Sequence, residues 1–257
     1  MWTSARRTWV FSSVPIVTQV SFAQLFVAES IATLREVVLS PLDLAPVVPV
    51  ARAGDDVVVL VHGFCATAGV FRPMRARLER EAGARVATFT HAPGVRIRRI
   101  AHNLARLVDC VPRGARITIV GHSLGGIVAR WYVQEMAGHE RIARTISLAS
   151  PFQGVDVPPL LVGRDLHPGS SLLRRVRERS HESPVPHTSI VAGEDRLVPG
   201  VHTACLGVGD VIVLPGRGHN ALLFDDEVAG HVIDRMRAAA LDAAGGGFLR
   251  EVVAPAL

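Results

Sequence analysis

Residues 116–130 read RITIVGHSLGGIVAR, and their hydrophobic pattern changes once along this stretch. The first half is rich in β-branched residues and predicts a buried strand, whereas apolar residues recur at helical spacing over 127–136. Between the halves, residues 121–125 form the motif G-x-S-x-G. Small residues are needed there because a strand that turns at once into a helix brings the two backbones close together. The pattern predicts that Ser123 lies at a helix N-terminus, where backbone N–H groups can stabilise an oxyanion.

Length and composition favour one α/β domain. The chain has 257 residues, 49% of them hydrophobic, which is enough for a large core. Its formal net charge is +5, and its basic side chains are all arginine, because the sequence contains no lysine. These arginines are scattered and no nucleic-acid motif occurs, so we expect no nucleic-acid partner. The three cysteines match no metal motif, and at most one disulfide could form.

Residues 1–50 differ from the rest and predict an N-terminal apolar or amphipathic segment followed by a proline-containing linker. Two arginines precede an uncharged run over residues 8–28, and an amphipathic stretch continues to Leu39. The run is long enough to span a bilayer, but its hydroxyl and amide side chains weaken a spanning helix. The alternatives are cleavage after Ala23 and a cytoplasmic protein whose N-terminal helix packs on its own domain. We expect a membrane-associated or exported protein, with residues 51–257 forming a domain that is active alone.

From about residue 55, short apolar runs alternate with amphipathic stretches. This alternation predicts a mostly parallel central sheet with helices on both faces. We expect strands at 57–61, 85–90, 116–120, 145–149, 190–193 and 211–214, and helices at 70–82, 97–111, 127–136, 171–179 and 228–243. Residues 155–186 interrupt the alternation with several prolines, so we expect a small cap or lid insertion there.

Two further residues stand where a serine nucleophile needs an acid and a base. Asp195 follows the strand that ends at Gly193, and His219 follows the last strand. In this arrangement His219 takes the proton of Ser123, while Asp195 holds the imidazole in the correct tautomer. Glu194 is the adjacent alternative acid. Ser123 would also suit an ordinary helix N-cap, but the order of the three residues favours a nucleophile.

The oxyanion is expected to bind two backbone N–H groups, those of Leu124 and Phe64. Leu124 directly follows the serine, and Phe64 lies in the loop after the first strand. We expect His62 and Gly63 to shape this loop beside the substrate, the glycine by allowing a close approach. Leucines of the lid segment, Leu160 and Leu172, are expected to line an apolar acyl pocket.

Together these motifs resemble the bacterial triacylglycerol lipase and esterase family. The resemblance extends from about residue 56 to 242 and rests on VHGF at 61–64, GHSLGG at 121–126, LASPFQG at 148–154, GED at 193–195 and GH at 218–219. It implies an α/β-hydrolase fold and hydrolysis of carboxylic esters through an acyl-enzyme, without a cofactor. Phe152 stands where the family commonly has histidine, and Cys65 where glycine is common. Phe152 is therefore expected to bear on substrate binding.

The first interpretation is a serine esterase or lipase acting on a small-molecule or lipid ester, with a membrane surface as a further contact. An acyltransferase would use the same triad if water were excluded from the acyl-enzyme. A non-catalytic binding protein of the same fold is the third interpretation, which the complete set of catalytic residues disfavours. The sequence indicates no particular oligomeric state.

Overall fold

The computed structural model describes residues 21–156 and 164–243. Leu160, predicted to line the acyl pocket, lies outside these ranges, as does the start of the uncharged N-terminal run. The strands are β1 (Asp56–Val61), β2 (Arg85–Phe89), β3 (Arg116–His122), β4 (Ile142–Leu148), β5 (His187–Ala192) and β6 (Asp210–Leu214). The α-helices are α1 (Phe22–Leu39), α2 (Arg72–Ala82), α3 (Ile97–Asp109), α4 (Leu124–Glu135), α5 (Ser171–Glu178), α6 (Val201–Ala204) and α7 (Asp226–Ala243). Single 3₁₀ turns span Ala68–Phe71, Gly138–Glu140, Arg164–Leu166, Arg179–Glu182 and Ala221–Leu223.

The strands form one parallel sheet in the order β2-β1-β3-β4-β5-β6. Each face of the sheet packs on its own hydrophobic cluster, one including α3, α4 and α5 and the other α2 and α7. Burial on both faces of the sheet explains the continuous apolar run of β1, because Val57 and Val59 point into the first cluster and Val58 and Leu60 into the second. The predicted α/β fold with a mostly parallel sheet is confirmed.

Several observed elements differ from the predicted ones in their bounds. Strands β4 and β5 each begin three residues before the predicted start, and the serine turn differs as well. Strand β3 continues two residues past the predicted end, to His122, and α4 begins at Leu124 rather than at residue 127. The GHSLG segment has neither strand nor helix periodicity, so its residues could not be assigned from hydrophobic spacing. The strand-to-helix transition is therefore sharper than the pattern indicated.

Residues 21–50 pack on the core, as in the alternative of an N-terminal helix that lies against its own domain. The hydroxyl of Thr67 donates a 2.8 Å hydrogen bond to the carbonyl of Ser40, just past α1. Further along, Val47 pairs with Thr88 in an antiparallel bridge at the edge of the sheet. The prolines of this segment therefore shape a strap along the domain, and the expected boundary near residue 50 does not separate two independent parts.

The first turn of α1 contains the site that was considered for signal cleavage. Ser21 is the N-cap of α1 and exchanges hydrogen bonds with Gln24 in a capping box, so Ala23 lies inside the helix. Across residues 21–156 and 164–243, no helix combines the length and the apolar character needed to cross a membrane. Cys65, Cys110 and Cys205 are all free thiols.

Gly69 lies against the chain that leaves α1 and provides a test of this packing. A Cβ atom added at Gly69 would lie 2.1 Å from the carbonyl oxygen of Leu39 and 2.7 Å from that of Leu42. We expect Gly69→Ala to displace the strap and to lower the free energy of unfolding by about 1–3 kcal/mol, as measured by urea denaturation. Gly230→Ala is the matched control, because a Cβ there meets no atom within 4 Å. Equal stability of the two variants would contradict the docking of residues 39–42.

Candidate active site

Ser123 lies between β3 and α4 in a strained backbone conformation, with φ 51° and ψ −118°. A non-glycine residue held in such a region costs about 1–3 kcal/mol and persists only where its surroundings impose it. Here two glycines of the motif, Gly121 and Gly125, let the neighbouring backbone come close enough to impose this conformation. A Cβ added at Gly121 would lie 2.3 Å from the carbonyl carbon of Gly125, and one added at Gly125 would lie 2.0 Å from the carbonyl oxygen of Val61. Strand and helix can therefore meet only because both residues lack a side chain.

Asp195 and His219 form a buried pair at the same edge of the sheet, in the loops after β5 and β6. The Nδ1 atom of His219 donates a 2.7 Å hydrogen bond to Oδ2 of Asp195. The other carboxylate oxygen accepts hydrogen bonds from the backbone N–H groups of Leu197, at 2.9 Å, and Val198, at 2.8 Å. The acid is therefore fixed on both sides, and Nε2 is the atom through which the imidazole can exchange a proton.

Glu194, the alternative acid, has a different environment. Its carboxylate accepts hydrogen bonds from the backbone N–H groups of Gly216 and Arg217. These residues lie in the loop that leads to His219, whereas the imidazole itself bonds Asp195. Glu194 therefore stabilises the shape of the loop, and Asp195 is the residue in contact with the histidine.

Ser123 and His219 line one cavity of about 400 Å³. Gly63 and Phe64 form part of its wall, and a Cβ added at Gly63 would lie 3.1 Å from the Cβ of Ser123. The loop after β1 therefore passes directly beside the serine, as predicted for an oxyanion loop. Leu124 is the first residue of α4, so its N–H lies at the positive end of the helix dipole. The other described wall residues are Glu36, Val37, Ser40, Cys65, His122, Pro151, Val155, Leu166, Leu197, Val198 and Asn220.

His62 lies behind the cavity wall, so it shapes the loop as expected from the sequence but does not belong to the predicted substrate-binding set. It is fully buried and stacks on the ring of His91, with 3.9 Å between the ring centroids. Its Nε2 accepts a 3.0 Å hydrogen bond from the N–H of His91, while its Nδ1 donates to the carbonyl of Gly63 at 2.8 Å. Burial lowers the pKa of His62 to about 3, and His91 adds to the effect. His62 is therefore a neutral support for the loop.

Phe152 and Leu172 also lie away from the cavity wall. Both are buried in the hydrophobic cluster on one face of the sheet, and Phe152 packs edge-on against His187. Their predicted contact with substrate is therefore corrected to a packing role beneath the site. Phe152 lies in a loop and Leu172 in the first turn of α5. An apolar side chain at either position can face the core or the pocket, and spacing alone does not separate these cases.

Helix α1 contributes wall residues that the sequence analysis missed, among them Glu36 and Val37. Burial raises the pKa of the Glu36 carboxyl, while His219 acts in the opposite direction and Glu29 adds a smaller upward effect. The sequence signal that could have revealed these wall residues is the spacing of seven between Glu29 and Glu36, which places two carboxylates on one face of an otherwise apolar helix. Within the described ranges, no group of three His, Cys, Asp or Glu side chains is arranged to hold a metal ion.

Comparison with known protein families shows to which family the chain belongs. The family model described as palmitoyl protein thioesterase matches residues 57–193, just over half of the sequence. The chain belongs to the palmitoyl protein thioesterase family. The match covers the oxyanion loop and Ser123, whereas Asp195 and His219 follow its end. No curated protein sequence gives a significant match.

Solved structures with the same fold include lipases and an esterase. Lipase B of Aspergillus fumigatus aligns with a TM-score of 0.64 at 16% identity, over 75% of this chain and 56% of that one. The chain thus spans little more than half the length of this lipase. Bacillus licheniformis lipase BlEst2 gives 0.60 at 13% identity, covering 75% and 97%, and a Thermogutta terrifontis esterase gives 0.54 at 16%, covering 76% and 98%.

These likenesses confirm the α/β-hydrolase fold and the predicted resemblance to lipases and esterases of that superfamily. The palmitoyl protein thioesterase family is the more specific assignment. That assignment rests on residues 57–193, whereas the solved structures share the fold alone.

The contacts of the two adjacent acids predict different effects of their amides. We expect Asp195→Asn to lower ester turnover by about 10⁴-fold, because the amide favours the wrong tautomer of His219. Glu194→Gln serves as the matched control and should have a far smaller effect, because its carboxylate bonds only the loop backbone. Steady-state kinetics of both purified variants measures the difference. A larger loss for Glu194→Gln would transfer the role of the acid to that residue.

Proposed function

We propose that this protein is a serine hydrolase that cleaves acyl esters through an acyl-enzyme on Ser123. The observation that carries the proposal is the convergence on one cavity of a strained serine and a histidine held by a buried carboxylate. Strain of this kind persists where the fold over-determines a geometry, and it exposes the hydroxyl above the sheet.

The proposed reaction uses the chain's own groups at each step. Nε2 of His219 accepts the proton of Ser123 while Oγ attacks the carbonyl carbon of the ester. The resulting oxyanion accepts hydrogen bonds from the N–H groups of Leu124 and Phe64. The imidazolium, stabilised by Asp195, returns its proton to the leaving alkoxide or thiolate as that bond breaks. Water then enters, gives a proton to His219 and releases the acid from the serine by the reverse sequence.

The cavity wall favours an acyl chain as the bound part of the substrate. Its apolar members include Val37, Val155, Leu166 and Leu197. Burial of an acyl chain against such a lining removes hydrocarbon from water, which favours binding by about 0.8 kcal/mol for each buried methylene group. The description of the family, palmitoyl protein thioesterase, adds acyl thioesters to the oxygen esters as substrates to be tested.

A chain-length series tests the chemistry and the substrate together. Nitrophenyl esters and matched acyl thioesters of two to about sixteen carbons would be compared, with kcat/KM expected to rise with chain length until the cavity is filled. Ser123→Ala should lose about 10⁴- to 10⁶-fold in turnover and should not react with a fluorophosphonate probe. Ser30→Ala, an exposed serine on α1, is the control and should behave as the wild type. Substantial turnover by Ser123→Ala would exclude the mechanism, and transfer of the acyl group to added alcohol would indicate an acyltransferase.

A lipid surface is the proposed location of the substrate. The outer face of α1, formed by Val27, Ile31, Leu34 and Val38, is 48–63% exposed. Val37 joins this face to the cavity wall, so the apolar surface continues into the mouth of the active site. Upstream in the sequence, two arginines and an uncharged run lead directly into α1, a composition suited to an interface with anionic lipid. An acyl chain could then enter the cavity without crossing water.

Vesicle flotation tests this location. We expect the full chain to float with vesicles of phosphatidylcholine and phosphatidylglycerol, and Leu34→Glu to reduce binding at least about tenfold, since one apolar side chain buried in lipid contributes about 1.5–3 kcal/mol. Val211→Glu is the control, because Val211 is an exposed apolar residue of β6, outside α1. A full chain that stays entirely in solution would exclude a role for lipid and leave α1 as a helix that only packs on the domain.

A further inference from the structure

Glu29 of α1 bonds the backbone that directly follows the histidine of the active site. Its Oε1 accepts a 2.8 Å hydrogen bond from the N–H of Asn220, and its Oε2 accepts a 3.2 Å bond from the N–H of Ala221. We propose that Glu29 is a positioning residue for His219, so that catalysis requires α1 to be docked. This inference rests on the proposed function, because it assigns a role within the same site.

The loop is shaped to receive the carboxylate. Gly218 precedes His219, and a Cβ added there would lie 2.3 Å from Oε2 of Glu29. One turn further along α1, the hydroxyl of Thr33 accepts a 3.3 Å hydrogen bond from the side-chain amide of Asn220 and donates to the carbonyl of Glu29. Two residues of α1 therefore hold the same loop by side-chain contacts, and the glycine admits the acid.

The contacts hold His219 at points that the Asp195 bond does not reach. Asp195 fixes the imidazole through Nδ1, and the Nε2 atom of His122 donates a 3.2 Å hydrogen bond to the carbonyl of His219. Glu29 adds the two N–H groups that follow. Hydrogen bonds from backbone N–H groups to a carboxylate are about twice as strong as neutral ones, which suits them to fixing a loop without regular structure. The histidine is thus held at its ring, at its own carbonyl and at the next two amides.

Catalytic geometry makes this restraint significant. A displacement of about 1 Å at a reacting group can lower the rate roughly 10²-fold. Without Glu29, the chain from residue 218 to 221 would keep the contacts with Asp195, His122 and Thr33 but would lose both bonds to its backbone N–H groups. The proposal therefore predicts, against the expectation from the sequence, that residues 51–257 alone lose activity, because that truncation removes Glu29 and Thr33 together.

The first test compares substitutions at Glu29 with a matched control. We expect Glu29→Ala to lower kcat about 10²-fold on a short soluble ester, because the reacting atoms are misplaced. KM should stay within about twofold, because the apolar residues of the cavity wall are unchanged. Glu29→Gln keeps one acceptor oxygen and should lose less. Ser30→Ala is the control, since its hydroxyl is exposed and donates within α1 to the carbonyl of Phe26. A kcat of Glu29→Ala equal to that of Ser30→Ala would overturn the proposal.

The glycine gives a second, independent variant. Gly218→Ala should displace the carboxylate and reproduce the loss of kcat seen for Glu29→Ala. Because the new methyl group acts by removing the same contact, the double variant should be no slower than either single one. Losses that multiply in the double variant would show that the two positions act separately and would overturn the coupling.

Amide hydrogen exchange separates the positioning role from the reaction itself. Exchange in a peptide containing residues 218–221 should accelerate in Glu29→Ala and stay unchanged in Ser30→Ala, with thermal unfolding measured alongside. Unchanged exchange, or accelerated exchange with an unchanged kcat, would overturn the proposal. A wild-type chain that turns over no ester would refute the proposed function instead, while exchange would still decide whether Glu29 holds the loop.

Discussion

The close approach of β1, β3 and α4 around Ser123 is the constraint on which the site depends. Gly121 and Gly125 allow the backbones to meet at distances that a single methyl group would prevent. The same contact bends Ser123 into a region of backbone space that would otherwise be sparsely populated. The loops after β1, β5 and β6 begin at the same edge of the sheet as this turn, because the carboxyl ends of parallel strands lie together.

Neutral histidines form a second layer beneath this edge. Burial lowers the pKa values of His62, His91 and His122, so each ring carries one donor and one acceptor nitrogen at neutral pH. His62 uses both nitrogens to join two backbone segments, and His122 reaches the carbonyl of His219. A charged ring could not accept a hydrogen bond from a backbone N–H. Their burial is therefore what suits these histidines to hold loops.

The sequence predicted the sheet and the serine turn because these features are local, whereas Asp195 and His219 were chosen by their order after the last two strands. A strand buried on both faces reads as an uninterrupted apolar run, and a serine turn needs glycines at fixed offsets. The cavity wall was harder to predict, since its residues come from segments far apart in the chain. Phe152 and Leu172 were placed on that wall because they are apolar, and the same property buries them in the core. The packing of helix α1 was harder to predict because most of its large apolar side chains face outward, while Glu29 and Glu36 face the protein.

The strap over residues 39–50 ties α1 to the edge of the sheet, while α1 itself borders the cavity. Part of the cavity wall thus belongs to a segment that precedes the hydrolase core in the chain and forms none of its strands. Side chains such as Val37 can be exchanged without disturbing the serine turn or the packing of the sheet. In evolution, a change in acyl preference could therefore accumulate on this helix while the reaction machinery stayed constant. The same helix would then carry Val37, a wall residue that is free to change, and Glu29, a positioning residue that must be kept.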